Sequence, residues 1–179
     1  TFGWAVESML PVIARDELSL GPEGLGYLMS AGAFGAVIPS IIISVVPDIK
    51  NKGMLMFIGL VCFGSGLVLF ALSKQLYSSL LFIAFTMGSA TVYESALSTL
   101  LQTSVPSNMR GRVLSFQTFS WGFSGMAGFH AGAIAALFSA PVAVAAGGVI
   151  VLLNGLRIGK KLILLARDSQ RSVSSRLDS

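Results

Sequence analysis

Long apolar stretches separated by short polar gaps dominate this chain of 179 residues. A helix needs roughly 20 apolar residues to cross the hydrocarbon core of a bilayer. Four stretches reach that length, at about residues 24–46, 54–73, 76–101 and 113–138. A fifth, at about residues 141–158, is shorter, but Arg157 within it can extend its charge to the lipid headgroups. The pattern predicts an all-α integral membrane protein.

The composition excludes several classes of protein. Apolar residues make up 54% of the chain and charged residues only 11%, whereas soluble domains devote about a quarter of their residues to charge. The net charge of +4 comes from loops and a tail, not from one basic stripe interleaved with aromatic residues, so the predicted partner is the lipid bilayer and not nucleic acid. The single cysteine, Cys62, lies in an apolar stretch. No disulfide framework, metal site or cofactor is predicted.

The first apolar stretch, at about residues 1–14, is too short to span a bilayer. It starts without a methionine and without the basic segment of a signal peptide. We therefore expect it to be the outer part of a helix whose beginning is missing. This predicts a six-helix bundle with a truncated first helix over residues 1–160, followed by a basic tail over residues 161–179.

Ten of the twelve basic residues fall in alternate gaps and in the tail. The positive-inside rule produces this alternation in multi-spanning proteins, because Lys and Arg in short loops are retained in the cytoplasm. The gaps around Lys50 and Arg112 and the tail are therefore predicted to be cytoplasmic, and the gaps around Arg15 and Lys74 external. The chain is predicted to be a multi-pass protein with a cytoplasmic C-terminus.

A family resemblance is carried by residues 100–113, which read LLQTSVPSNMRGRV. This stretch resembles the loop between the tenth and eleventh helices of the major facilitator superfamily, in the branch that contains the enterobactin and macrolide exporters. Residues 10–16, 24–30 and 140–143 are similar to the same branch in order and spacing. One departure lies in residues 47–53, which keep Asp48 and two lysines of a family loop motif but have no arginine.

The resemblance implies that the chain is the C-terminal half of a twelve-helix secondary transporter, whose partner is a missing N-terminal six-helix half. It further implies proton-driven efflux of a drug-like or siderophore-like small molecule across the cell membrane, most simply a bacterial inner membrane. The family has both termini in the cytoplasm, in agreement with the charge pattern. The alternative interpretation is a non-transporting membrane scaffold or receptor built on the same fold.

Three ionisable residues lie within apolar stretches: Glu7, Glu94 and His130. Each is costly in lipid and is expected to face the bundle interior or a hydrated cavity. The resemblance places all three on helices that reach the central pathway. For Glu94 we favour a role in binding a proton or attracting a cation. The alternative is that its side chain forms a hydrogen bond between helices. Glu7 is equally well explained as a hydrated carboxylate, and His130 is better explained as a neutral imidazole bonded to a neighbouring helix.

Aromatic and basic residues complete the candidate set. Tyr93 and Trp4, with Trp121 and Phe123, can form an aromatic lining of the pathway, although lipid-facing positions explain them equally well. Arg110, Arg112 and Asp48 lie in predicted cytoplasmic loops and are candidates for a cytoplasmic gate.

An enzyme is not predicted. Ser124 and His130 superficially resemble the serine and histidine of intramembrane serine proteases. These two residues are six positions apart. On one helix their side chains would point about 120° apart and lie about 9 Å apart along the axis. A nucleophile and its base must be within hydrogen-bond reach, so no catalytic residue is assigned.

Overall fold

A computed structural model of the chain describes residues 5–18, 21–45, 52–104, 109–122 and 127–177. All regular elements in these ranges are helices, which confirms the all-α prediction. They are α1 (Ala5–Asp16), α2 (Pro22–Val45), α3 (Lys52–Leu72), α4 (Leu76–Ser104), α5 (Arg110–Gly122), α6 (Ala127–Leu137) and α7 (Ala140–Leu177).

Four of these helices have membrane-spanning segments of sufficient length and apolarity: Pro22–Val45, Lys52–Leu72, Leu76–Gln102 and Ala140–Gly159. Their bounds agree with four of the predicted stretches to within a few residues. Many of their large apolar side chains are exposed, as expected of helices that face lipid. Multi-pass insertion in a membrane follows from these helices.

The predicted helix at residues 113–138 corresponds to two shorter elements. α5 has 13 residues and α6 has 11, so neither is long enough to cross a bilayer alone. Residues 123–126, between them, lie outside the described part of the chain. The predicted count of six spanning helices therefore stays a prediction, as does the truncation of the first helix, which is described from Ala5.

The last helix extends well past its predicted end at residue 158. α7 has 38 residues and continues to Leu177. The reason is visible in the sequence, because residues 160–177 contain neither glycine nor proline and are rich in good helix formers. The predicted basic tail at residues 161–179 is thus largely helical, and its cytoplasmic location stays a prediction.

α3 packs between α4 and α7 and contacts both. α2 packs against the other side of α4, and α5 contacts α4. The short helix α1 lies against α2, α6 and α7. The core contains side chains from five helices, among them Val6, Ile13, Leu28, Phe63, Leu67, Phe70, Ile83 and Val144.

Glycines bring two helix pairs into backbone contact. A Cβ atom at Gly35 of α2 would overlap the backbone carbonyl of Ala84 in α4. A Cβ atom at Gly64 of α3 would lie 3.0 Å from the carbonyl oxygen of Gly148 in α7. In lipid, where no hydrophobic effect drives helices together, such close approach maximises dispersion contacts. The backbones of α2 and α4 are therefore in direct contact, and so are those of α3 and α7.

Candidate functional site

A cavity of about 720 Å³ lies between α1, α2 and α4. This volume is within the range of sites that bind drug-sized molecules. Three polar residues line it: Glu7 of α1, and Thr91 and Glu94 of α4. The remaining lining is apolar and consists of Leu10, Pro11, Leu25, Leu28, Met29, Gly32, Ala33, Ala36, Ile83, Met87 and Ala90.

The cavity brings together two carboxylates that are far apart in the sequence. Glu7 lies in the first turn of α1 and is exposed, whereas Glu94 lies in the second half of α4 and is half-buried. Both side chains line the same cavity. Among the residues that the structure describes, no basic side chain lines the cavity or pairs with either carboxylate. The site is therefore acidic.

The cavity has room because several of the residues that line it have small side chains. Ala33 and Ala36 of α2 and Ala90 of α4 present only methyl groups to it. Gly32 lets α2 approach Met87 so closely that a Cβ atom there would lie 3.1 Å from the Met87 Cγ. A larger side chain at any of these positions would occupy part of the volume.

The polar residues of α4 continue from the cavity toward the C-terminal end of the helix. The Thr91 hydroxyl donates a hydrogen bond to the Met87 carbonyl at 3.0 Å, so it is satisfied within its own helix. Further along, the Gln102 Nε2 donates to the Ser98 Oγ at 3.1 Å. Glu94, Ser98 and Gln102 are spaced four residues apart and share one helix face.

Within the described part of the chain, none of the other pathway candidates lines the cavity. Tyr93 packs against α3, where its Cα would lie 3.0 Å from a Cβ atom at Gly59. His130 lies in α6, but its side chain is outside the described part, and Trp4 is outside it altogether. The roles suggested for these three residues stay predictions.

The gate candidates are only partly described. Arg110 is the first residue of α5, and Arg112 is exposed in its first turn. Within the described ranges Arg112 has no ion-pair partner, and Asp48 lies outside these ranges. The gate therefore stays a prediction.

An ion pair is described at the end of α1. The Arg15 Nε donates to the Asp16 carboxylate at 2.7 Å, and both side chains are well exposed. This hydrogen bond, with the charge of Asp16, raises the pKa of Arg15. Ion pairs between exposed side chains contribute little to stability. This contact therefore stabilises the fold much less than the packing of the core does.

Metal-binding residues do not cluster in the described ranges. No group of three His, Cys, Asp or Glu side chains there comes close enough to hold a metal ion. The polar side chains that line the cavity are the carboxylates of Glu7 and Glu94 and the hydroxyl of Thr91.

Sequence reasoning missed part of this site. Thr91 lies three residues before Glu94 on the same helix face, and that spacing was a usable signal. Met29 and Met87 carried no signal, because a helix that is apolar all round does not show which of its sides faces a cavity.

Comparison with known protein families gives a match over residues 1–178 to the family described as transmembrane secretion effectors. The comparison with curated proteins found no match, and neither did the comparison with solved structures. The family match extends over nearly the whole chain and agrees with the four long apolar helices. The chain therefore belongs to the transmembrane secretion effector family of major facilitator transporters.

Proposed function

We propose that the chain is the C-terminal six-helix half of a secondary transporter that exports a drug-like or siderophore-like molecule in exchange for protons. The observation that carries this proposal is the cavity between α1, α2 and α4, which holds two carboxylates in an apolar lining. The resemblance of residues 100–113 to the enterobactin and macrolide exporters supports the assignment to that half and that branch. The charge pattern supports a cytoplasmic C-terminus, and the branch supports a bacterial inner membrane.

In this proposal the cavity opens alternately to the two sides of the membrane. Transporters of this kind rock one helical bundle against another about a binding site near the bilayer midplane. Glu94 is half-buried, so its ionised form loses solvation whenever the cavity closes. The carboxylate therefore takes up a proton on one side and releases it on the other. The cycle involves no covalent step and no cofactor.

Replacing Glu94 tests the coupling. In everted membrane vesicles with an imposed proton gradient, we expect Glu94→Gln in the full-length transporter to insert normally but to lose gradient-driven accumulation of an exported dye. Exchange of labelled for unlabelled dye without a gradient should continue, because it requires alternating access but no proton. Glu23→Gln is the matched control, since Glu23 is an exposed carboxylate of α2 that does not line the cavity.

The dyes should include a cationic, a neutral and an anionic compound, such as ethidium, Nile red and fluorescein. Normal gradient-driven accumulation in Glu94→Gln would remove that residue from the coupling mechanism. Failure of all three dyes to accumulate with the unmodified full-length transporter, which includes the N-terminal half, would contradict the transport proposal and favour the scaffold or receptor.

A further inference from the structure

We propose that the face of α4 that holds Glu94, Ser98 and Gln102 is a hydrated path through which Glu94 releases its proton. The path leads to the C-terminal end of α4, which the charge pattern assigns to the cytoplasm. This inference rests on the proposed function and deepens it, because it assigns the route by which the coupling proton leaves the cavity. Ser98 is the positioning residue of this path, and Gln102 lies at its outlet.

The path continues the side of α4 that lines the cavity. Thr91 and Glu94 are the last residues of α4 in the cavity lining. An α-helix completes two turns in about seven residues, so Ser98 lies on the same side of the helix as Thr91. Gln102 follows Ser98 after one further turn, again on this side. One continuous face therefore joins the cavity to the C-terminal end of the helix.

Burial along this face decreases toward the end of α4. Ala90 is buried, Glu94 and Ser98 are half-buried, and Gln102 is exposed. Polar side chains in a membrane helix face the bundle interior or water, and an exposed amide near the helix end is in the second situation. Water at Gln102 can thus reach Ser98 and Glu94 without crossing the apolar wall of the cavity.

The hydroxyl of Ser98 is bonded differently from other hydroxyls of α4. Four of these donate to the carbonyl four residues earlier, which satisfies a hydroxyl without water: those of Thr86, Ser89, Thr91 and Thr99. The Ser98 Oγ instead accepts from the Gln102 Nε2 at 3.1 Å, and within the described residues it makes no bond to the Glu94 carbonyl. The O–H of Ser98 is therefore available to a water molecule.

Proton release along this face exchanges only O–H bonds. The protonated carboxyl of Glu94 gives its proton to a water molecule that the Ser98 hydroxyl holds. That water passes a proton to the water at Gln102, from which it enters the bulk solvent. Glu94 is left as a carboxylate, and the first water is restored. Transfer through one positioned water is within the reach of a carboxyl group, and hydrogen-bonded chains strengthen each member.

A matched pair of substitutions in the full-length transporter tests the role of the hydroxyl. Thr and Val have nearly the same shape, but only Thr keeps the hydroxyl. In everted vesicles with a proton gradient, Ser98→Val should accumulate an exported dye about fivefold more slowly, as expected for one lost neutral hydrogen bond. Ser98→Thr should accumulate it normally. Exchange of dye without a gradient should be normal in both, because it requires no proton.

The control for this pair is Thr99→Val, which removes a hydroxyl from the neighbouring position. The Thr99 hydroxyl donates to the Ser95 carbonyl at 2.7 Å and is exposed outside the proposed path. Its loss should leave gradient-driven accumulation unchanged. Equal accumulation rates in Ser98→Val and Ser98→Thr would overturn the path, and so would slower exchange without a gradient in Ser98→Val, which would indicate a structural role.

A second measurement tests hydration directly. In a Cys62→Ala background of the full-length transporter, cysteines at Ser98 and Gln102 should react with a water-soluble thiosulfonate added from the cytoplasmic side. Only a hydrated thiol ionises readily to the reactive thiolate. A cysteine at Ala96, which is buried at a similar depth, should not react. An unreactive thiol at Ser98 would overturn the path while leaving the proposed function intact, whereas normal gradient-driven accumulation in Glu94→Gln would contradict the proposed coupling itself.

Discussion

Gly35 and Gly26 both belong to α2, but they have opposite surroundings. Gly35 meets the backbone of α4, and a Cβ atom there would lie 2.5 Å from the carbonyl carbon of Ala84. At Gly26 no atom of the described residues, apart from the neighbouring backbone of α2 itself, lies within 4 Å of the same position. The two positions share a helix and hence a similar intrinsic propensity, so substitution at both separates packing from propensity.

We expect Gly35→Ala to destabilise the protein by about 1–3 kcal/mol, because a backbone carbonyl cannot move aside as a flexible side chain can. Gly26→Ala should leave the stability unchanged or raise it by up to about 1 kcal/mol, since alanine is the better helix former. Thermal unfolding in detergent measures both. Equal unfolding temperatures for the two variants would show that α2 and α4 do not meet at Gly35.

At the level of single residues, the sequence predicted the charged part of the site and little of its wall. Glu7 and Glu94 could be identified as site candidates because a carboxylate within an apolar stretch is energetically costly in lipid. Their meeting in one cavity depends on how three helices pack, and no spacing along the chain encodes it. Met29, Ile83 and Ala90 resemble the lipid-facing residues beside them, so only packing distinguishes them.

Among the elements, α4 shows how a membrane helix carries many hydroxyl groups. The Thr86 hydroxyl donates to the Phe82 carbonyl at 2.6 Å, and the Ser89 hydroxyl donates to the Phe85 carbonyl at 2.8 Å. Such bonds to the preceding turn satisfy the hydroxyls where no water is present. Both residues are buried, so these two hydroxyls face the bundle and not lipid.

The start of α5 places positive charge where it is unfavourable for the helix. Arg110 and Arg112 lie in its first turn, near the positive end of the helix dipole. The charges are therefore not explained by helix stability. We expect Arg112→Ala in the full-length protein to lower transport and to increase labelling from the cytoplasm of a cysteine at Ser98, with normal expression. Loss of a desolvated charged contact at a closed gate would cost about 1.5–3 kcal/mol and favour the inward-open form.

Arg112→Lys should restore transport only in part, because lysine has no planar guanidinium to hold a carboxylate with two bonds. An unchanged rate of Ser98 labelling, together with failed or inverted insertion of Arg112→Ala, would mean that the arginine is only a topology signal.

Element boundaries differed in how well they could be predicted. α2, α3 and α4 begin and end where apolar sequence gives way to polar residues, and that change is written in the chain itself. The continuation of α7 past residue 158 follows from the lack of helix breakers, which an apolarity criterion does not consider. α5 and α6 lie within one predicted stretch, and residues 123–126 between them are outside the described part of the chain.

For the whole molecule, the distribution of basic residues predicts which loops face the cytoplasm. In a Cys62→Ala background, cysteines at Ser19 and Gln75 should react with an impermeant thiol reagent added to intact cells. Cysteines at Asn51 and Ser107 should react only after the membrane is opened, because the basic residues near them hold those gaps inside. Labelling at Ser107 in intact cells would contradict this topology.

The backbone contact at Gly35 also determines which parts of the cavity can move. α2 and α4 meet without intervening side chains, and a Cβ atom at Gly88 would lie 2.7 Å from the Gly35 carbonyl oxygen. Two of the three cavity walls are therefore one mechanical unit. The third wall, α1, packs against α2, α6 and α7 but not closely against α4. We expect the cavity to widen by displacement of α1, so that the distance between the Glu7 and Glu94 carboxylates follows the degree of opening.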